Sequence, residues 1–117
     1  MSFRTNEKLK IACLPRIRVV SGDQIALGPG KVGLLEEIDR SGSISKAARS
    51  LGLSYRRAWT LVDTMNKSFK SHLVMGSAGG QKGGGANLTP LGKKMVQTYR
   101  TMEEKTEQAI KLDWKFF

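Results

Sequence analysis

Apolar positions along this chain shift between a period of two and a helical period, and those shifts mark out its elements. Arg16-Ile-Arg-Val-Val20 alternates charged and apolar side chains, Ser21-Gly22-Asp23 supplies turn chemistry, and Gln24-Ile-Ala-Leu27 follows. That order predicts a short β-hairpin, with a tail wrapped over the core as the alternative. Gly28-Pro29-Gly30 then breaks the chain. Residues 31–40 take helical spacing, burying Val32, Leu34, Leu35 and Ile38 and leaving Glu36, Glu37 and Asp39 to solvent, with Ser41-Gly42 as the end.

Residues 43–69 form the stretch around which the rest is organised. They divide at Leu51-Gly52-Leu53 into a short apolar-periodic segment and a longer one. Ser43 and Ser54 each stand just ahead of a segment, where a hydroxyl accepts from an otherwise unpaired backbone N–H. Gly52 supplies the left-handed residue that ends the first helix. Two helices joined by a short turn containing glycine predict a helix-turn-helix. In the second helix Ala58, Val62, Met65 and Phe69 stack on one face, with Tyr55 and Leu61 at its edges. The opposite face carries Arg56, Thr60, Thr64 and Lys67, with Arg57 beside them, while Ala47-Ala48 lets the two helices approach closely. Asp63 dissents on that face: it must accept from a cytosine amine, pair with a neighbour, or point away.

After Phe69 short strand candidates appear at His72-Leu-Val-Met75 and Ala86-Asn-Leu-Thr89. Between them, six of the ten residues from Gly76 to Gly85 are glycine. A three-helix core followed by such a hairpin is the order of a winged helix-turn-helix, with the glycine loop as wing. Glycine lets backbone N–H groups approach phosphate, and Gln81 and Lys82 at the tip add a side-chain bond and a charge. A nucleotide-binding P-loop is excluded, because Lys82 is followed by Gly83 and the segment leads into a strand. A linker without contacts has the same composition.

Thr89-Pro90 predicts a cap followed by proline in the first helical position. Leu91, Met95, Tyr99, Met102, Thr106, Ala109, Ile110 and Phe117 recur at three- and four-residue steps, which predicts a helix over residues 90–117. Such a helix outruns a small core, so a partner helix from a second copy is its natural cover; folding back on its own domain is the alternative. The fold class expected is mainly α with a small β component. Residues 1–15 form a flexible basic tail, and residues 16–117 a winged helix-turn-helix ending in a dimerisation helix.

Charge sharpens this picture. Twenty Lys and Arg against ten Asp and Glu give a net +10, with a pI near 10.1. A small domain this basic meets a polyanion, nucleic acid first and an anionic membrane surface second. From Arg40, itself counted, up to His72 there are seven basic residues and one acid. Cys13, the single cysteine, excludes an internal disulfide and a cysteine-built metal site and fits a reducing cytoplasm. No apolar run reaches the length needed to span a bilayer. The one histidine, His72, has no carboxylate pair or nucleophile beside it in the pattern, so no enzyme is expected.

A recognition helix reads base edges from its N-terminal turns, where Arg56, Arg57 and Thr60 stand. Arginine can fork onto guanine O6 and N7, and threonine can bond a base or pack on a thymine methyl. The competing readings are a solvated helical hairpin, an architectural protein binding DNA without sequence preference, and an oxyanion-binding protein using the glycine-loop amides and Lys82 as an anion nest.

The chain also resembles the N-terminal DNA-binding domain of the ModE family of molybdate-responsive transcription regulators. Gly42-Ser-Ile-Ser-Lys-Ala-Ala48, the run from Ser54-Tyr-Arg-Arg-Ala-Trp59 to Asn66, the glycine-rich loop and Leu88-Thr-Pro-Leu-Gly92 carry the resemblance, which covers residues 26–99. It implies a dimer on a palindromic operator, with Ser43, Ser45, Tyr55, Arg56, Arg57 and Thr60 facing DNA and with Ala58 and Trp59 packing, stacking of Trp59 on a nucleobase being the alternative. The candidate DNA-contacting set is then Ser43, Ser45, Lys46, Ser54, Tyr55, Arg56, Arg57, Thr60, Thr64, Lys67, Gln81 and Lys82, with no cofactor or metal. The family's C-terminal oxyanion-binding domains have no counterpart within these residues, so the resemblance is to short, stand-alone ModE-like proteins, and no oxyanion effector is expected.

Overall fold

A computed structural model describes residues 11–76 and 85–117. Residues 1–10 of the expected tail lie outside the described residues, as does the loop tip with Gln81 and Lys82.

The fold is mainly helical, with two small antiparallel pairs. β1 (Val19–Ser21) and β2 (Gln24–Leu27) form the expected hairpin, with Gly22 at φ +64° in its turn. The register slips between Val19 and Val20, so Val19 faces Leu27 while Val20 faces Ile25. That bulge lets Ala26 and Leu27 both turn inward.

α1 spans Pro29–Ser41, two residues earlier than the spacing predicts. Gly28-Pro29-Gly30 opens the helix instead of breaking the chain before it. Proline lacks only an N–H that the first turn leaves unpaired anyway, and its fixed φ is already helical. Gly42 at φ +72° ends α1, its N–H donating to Ile38 O at 2.7 Å. α2 (Ile44–Ser50) and α3 (Tyr55–Ser68) follow. Both serine caps form: Lys46 N donates to Ser43 Oγ at 3.1 Å and Arg57 N to Ser54 Oγ at 3.0 Å. Between the helices Gly52 takes φ +70°.

Val32, Leu34, Leu35 and Ile38 of α1 are buried with Ala47 and Ala48 of α2, and with Ala58, Val62 and Met65 of α3. β3 (Val74–Gly76) and β4 (Ala86–Leu88) pair with Val74 opposite Leu88 and add their buried residues to the same cluster. Two anchors fix that pair on the helices. Ala86 N donates to Gly42 O at 2.9 Å, at the junction of α1 and α2. Asn66 bonds the backbone of Leu73 and Val74.

α4 (Pro90–Ile110) is capped by Thr89, whose hydroxyl accepts from Gly92 N at 3.0 Å and donates to His72 O at 2.8 Å. Tyr99 is buried and donates to Ile17 O at 2.7 Å, pinning the segment ahead of β1. Arg100 forks onto Glu36 of α1 at 2.7 and 3.0 Å and reaches Glu103 at 2.7 Å, so its guanidinium is held further above its ordinary pKa by these carboxylates. The helix stops at Ile110, seven residues short of the predicted end, and residues 111–116 run in turns. Apolar side chains continue past that point, but Leu112, Phe116 and Phe117 are exposed and find no core to hold them helical. No described helix is long and apolar enough to cross a membrane.

Candidate nucleic-acid interface

At about 100° per residue, the outward face of α3 is centred on Arg56, Lys67 and Thr60, opposite the buried Ala58 and Met65. Arg56, Arg57, Thr60 and Lys67 are exposed, as are Ser45 and Lys46 of α2 and, at the start of α3, Ser54 and Tyr55. Ser43 and Thr64 are half-buried. Besides Ser43 and Ser54, whose hydroxyls cap α2 and α3, two more of the predicted DNA-contacting side chains are already engaged. Thr64 Oγ1 donates to Thr60 O at 2.9 Å, and Lys67 pairs with Asp63 at 3.0 Å. Of the three roles open to Asp63, the structure shows pairing with a neighbour one turn along.

A groove opens on each flank of α3. Toward β3 and β4 a groove of ≈ 430 Å³ is lined by Ser43, Ser45, Tyr55, Trp59, His72 and Met75, among others. Trp59 does not pack in the core as the resemblance implied. It is 49% exposed, beside Tyr55 and Met75 at 56% each. Ala58 holds the centre of the buried face, so the next residue falls at the margin of the helix, over the groove. A tyrosine, a tryptophan and a methionine lining one groove give it apolar surface of a kind that packs on sugar and base.

On the other flank an open cleft of ≈ 800 Å³ separates α3 from the β1–β2 hairpin. Arg57, Thr60 and Thr64 of α3 line it together with Arg16, Arg18 and Lys31. Helix-turn-helix spacing does not single out this second set, although the alternation Arg16-Ile17-Arg18 is its signal: with Ile17 turned to the core, both arginines stand on the outer side. Burial and the Arg57 charge push the Lys31 ammonium below its usual pKa. His72 is exposed, and the described residues bring no three metal-ligating side chains together.

No family model matches the chain. It is similar to the molybdenum transport protein ModE of Azotobacter vinelandii, 44% identical over 85 residues that are 73% of this chain and 32% of that protein. The molybdenum-pterin-binding protein MopB of Rhodobacter capsulatus is 47% identical over 77 residues, 66% of this chain and 28% of that protein. The DNA-binding transcriptional dual regulator ModE of Escherichia coli K12 is 38% identical over 82 residues, 70% of this chain and 31% of that protein. The chain spans about a third of the length of these curated relatives. Through the stretch it shares with them, the chain belongs to the ModE family.

Proposed function

We propose that this chain is a sequence-specific DNA-binding transcriptional regulator of the ModE type, acting as a dimer in the cytoplasm on a palindromic operator. In this reading α1, α2 and α3 are the three-helix core of a winged helix-turn-helix, α3 is the recognition helix, and β3 and β4 with the glycine-rich connection between them are the wing. The observation that carries it is the outward face of α3, where Arg56 and Thr60 stand exposed near an N-terminus capped by Ser54. An arginine there can fork onto guanine in the major groove, and a threonine can meet an adjacent base. Relatives named as a DNA-binding dual regulator and as a molybdenum transport protein support a role in regulating molybdenum transport. None of the three relatives carries an enzyme's name, and the exposed surface offers cations and hydroxyls suited to binding.

Selection of bound duplexes from a random library tests the reading. A two-fold symmetric consensus is the expected result. Retention of DNA without any enriched sequence overturns it in favour of an architectural protein.

A second reading follows from the relative named a molybdenum-pterin-binding protein: binding of a molybdenum oxyanion by these residues themselves. Against it, no charged residue among those described is fully buried and the buried Tyr99 hydroxyl is spent on Ile17 O, while the glycine-loop nest lies outside the described residues. DNA affinity is therefore expected to be the same with and without molybdate. A shift reproduced by tungstate but not by sulfate favours the second reading.

A further inference from the structure

The cleft between the β1–β2 hairpin and α3 gathers charge from three separate parts of the chain. Arg16 and Arg18 come from the extended segment ahead of β1, Lys31 from the first turn of α1, and Arg57 from α3. The arrangement is anchored on both sides. Ile17, between the two arginines, packs on the core and its carbonyl is held by the buried Tyr99. The Arg18 stem lies over Gly28, its Cγ 3.9 Å from where a Cβ there would stand. Lys31 Nζ donates to Ile25 O, directing the ammonium to the hairpin side. One carboxylate, Asp23, lines the cleft, and none of the four cations is in an ion pair among the described residues. Cations gathered this way repel one another, an effect that adds, through Arg57, to the larger effect of burial in lowering the Lys31 pKa, and an added polyanion relieves that repulsion.

A major groove about 12 Å wide is nearly filled by a helix about 10–12 Å across, so both phosphate backbones run close beside it. On α3, one flank carries the groove toward β3 and β4 and the other carries this basic cleft. We propose that the cleft is a second docking surface for duplex DNA, in which Arg16, Arg18, Lys31 and Arg57 hold phosphodiester groups of the strand on the side of α3 away from β3–β4. Ile25, Leu51, Leu53 and Leu61 line the cleft between the charges and offer the sugars an apolar surface. The inference rests on the DNA-binding reading and adds to it a second, non-wing clamp. The cleft is open and far larger than a tetrahedral oxyanion, which favours an extended polyanion over a free one.

The test is a salt titration of DNA binding by the full chain, its Arg16→Gln/Arg18→Gln variant, the charge-keeping Arg16→Lys/Arg18→Lys variant, and Arg56→Ala. Thermal melting of each variant controls for folding. The glutamine pair is expected to weaken binding to selected and scrambled duplexes alike and to flatten the salt slope by about 0.9 for every phosphate it no longer neutralises. Each such phosphate accounts for about a threefold share of the affinity change between 50 and 200 mM salt. The lysine pair is expected to restore most of the slope. If Arg56→Ala loses affinity while the glutamine pair matches the wild type, the cleft proposal falls and the recognition-helix reading stands. If the wild type binds no duplex, both fall. A rise in melting temperature with molybdate or sulfate that the glutamine pair abolishes, with an unchanged DNA slope, overturns the proposal in favour of a free-oxyanion site.

Discussion

Asn66 holds Val74 by both of its backbone groups: Nδ2 donates to Val74 O at 3.0 Å, and Oδ1 accepts from Val74 N at 3.1 Å. The same oxygen accepts from Leu73 N at 2.8 Å. One side chain near the end of α3 thus substitutes for a strand partner and sets the β3–β4 pair against the helix proposed to read DNA. The groove between α3 and that pair depends on this setting, because Trp59 and Met75 both line it.

Replacing Asn66 by alanine leaves the buried Leu73 and Val74 with unpaired backbone groups. Asn66→Ala is expected to lower stability by about 2–3 kcal/mol in urea unfolding, with m unchanged. Asn66→Asp keeps the acceptor and loses only the donor, so its loss should be smaller. Equal losses would mean that the Nδ2 bond alone matters.

Of the described glycines, Gly92 has the backbone of another segment closest to it. A Cβ at this position would stand 2.2 Å from Leu73 O and 3.1 Å from Leu73 C, both backbone atoms that cannot swing aside. Gly92→Ala is expected to cost roughly 1–3 kcal/mol or more by forcing α4 away from β3. Gly33 of α1 has open space around it, and Gly33→Ala should instead gain up to about 1 kcal/mol from helix propensity. Thermal melts of the two variants, moving in opposite directions, check the pair.

Tyr99 ties stability to alkaline pH. Burial, with the Glu103 charge second, raises the pKa of its hydroxyl. The folded chain therefore holds this proton more tightly than the unfolded chain, whose tyrosines titrate near pH 10. The stabilisation is complete below that pH and is lost as pH rises through the folded pKa. Tyr99→Phe should cost about 1 kcal/mol at neutral pH, where Ile17 O loses its donor. Above pH 10 its melting temperature should fall less steeply than that of the wild type. Parallel curves would remove Tyr99 from the alkaline transition.

Local signals in the sequence are legible and tertiary ones are not. Ser43, Ser54 and Gly52 act within a turn of where they stand, so residue type and spacing suffice to foresee their conformations. Gly92 looks like an indifferent residue of an N-terminal turn, and only the Leu73 carbonyl makes it necessary. Asn66 gives no hint of its three bonds, because its partners lie seven and eight residues away in another element. The family resemblance implies packing for Trp59, whereas a ring beside Ala58 sits at the helix margin and opens on a groove. Past Ile110 the apolar spacing continues and the helix does not, since periodicity without a surface to bury against is weak support.

Beyond Tyr99, α4 leaves its own core. Met102 is exposed on the helix, and the turns after Ile110 present Phe116 and Phe117 at 83% and 82% exposure. A second copy across a two-fold axis would cover them. Sedimentation should give a dimer for the intact chain at micromolar concentration and a monomer for a chain ending at Thr101. A monomeric intact chain refutes the dimer.

The outward face of α3 carries one acid among its cations, and that acid distinguishes base reading from charge. Asp63 pairs with Lys67 at 3.0 Å and lies about 20° round the helix from Arg56, on the outward face itself. Removing it by Asp63→Asn frees the Lys67 ammonium for phosphate and removes a repulsion, so affinity for any duplex should rise and the salt slope steepen by about 0.9 for each further phosphate neutralised. Arg56→Ala should behave differently. Losing a guanidinium that forks onto a base costs about 1–3 kcal/mol on the selected site and relaxes preference at one base pair per half-site, with little change on scrambled DNA. Lys82→Ala, in the glycine-rich loop, should weaken both duplexes equally, as removal of a phosphate-binding charge does. Competition titrations with selected and scrambled duplexes at several salt concentrations separate the three. Equal losses on both duplexes for Arg56→Ala would take it out of base readout and leave a basic surface that binds DNA by charge alone.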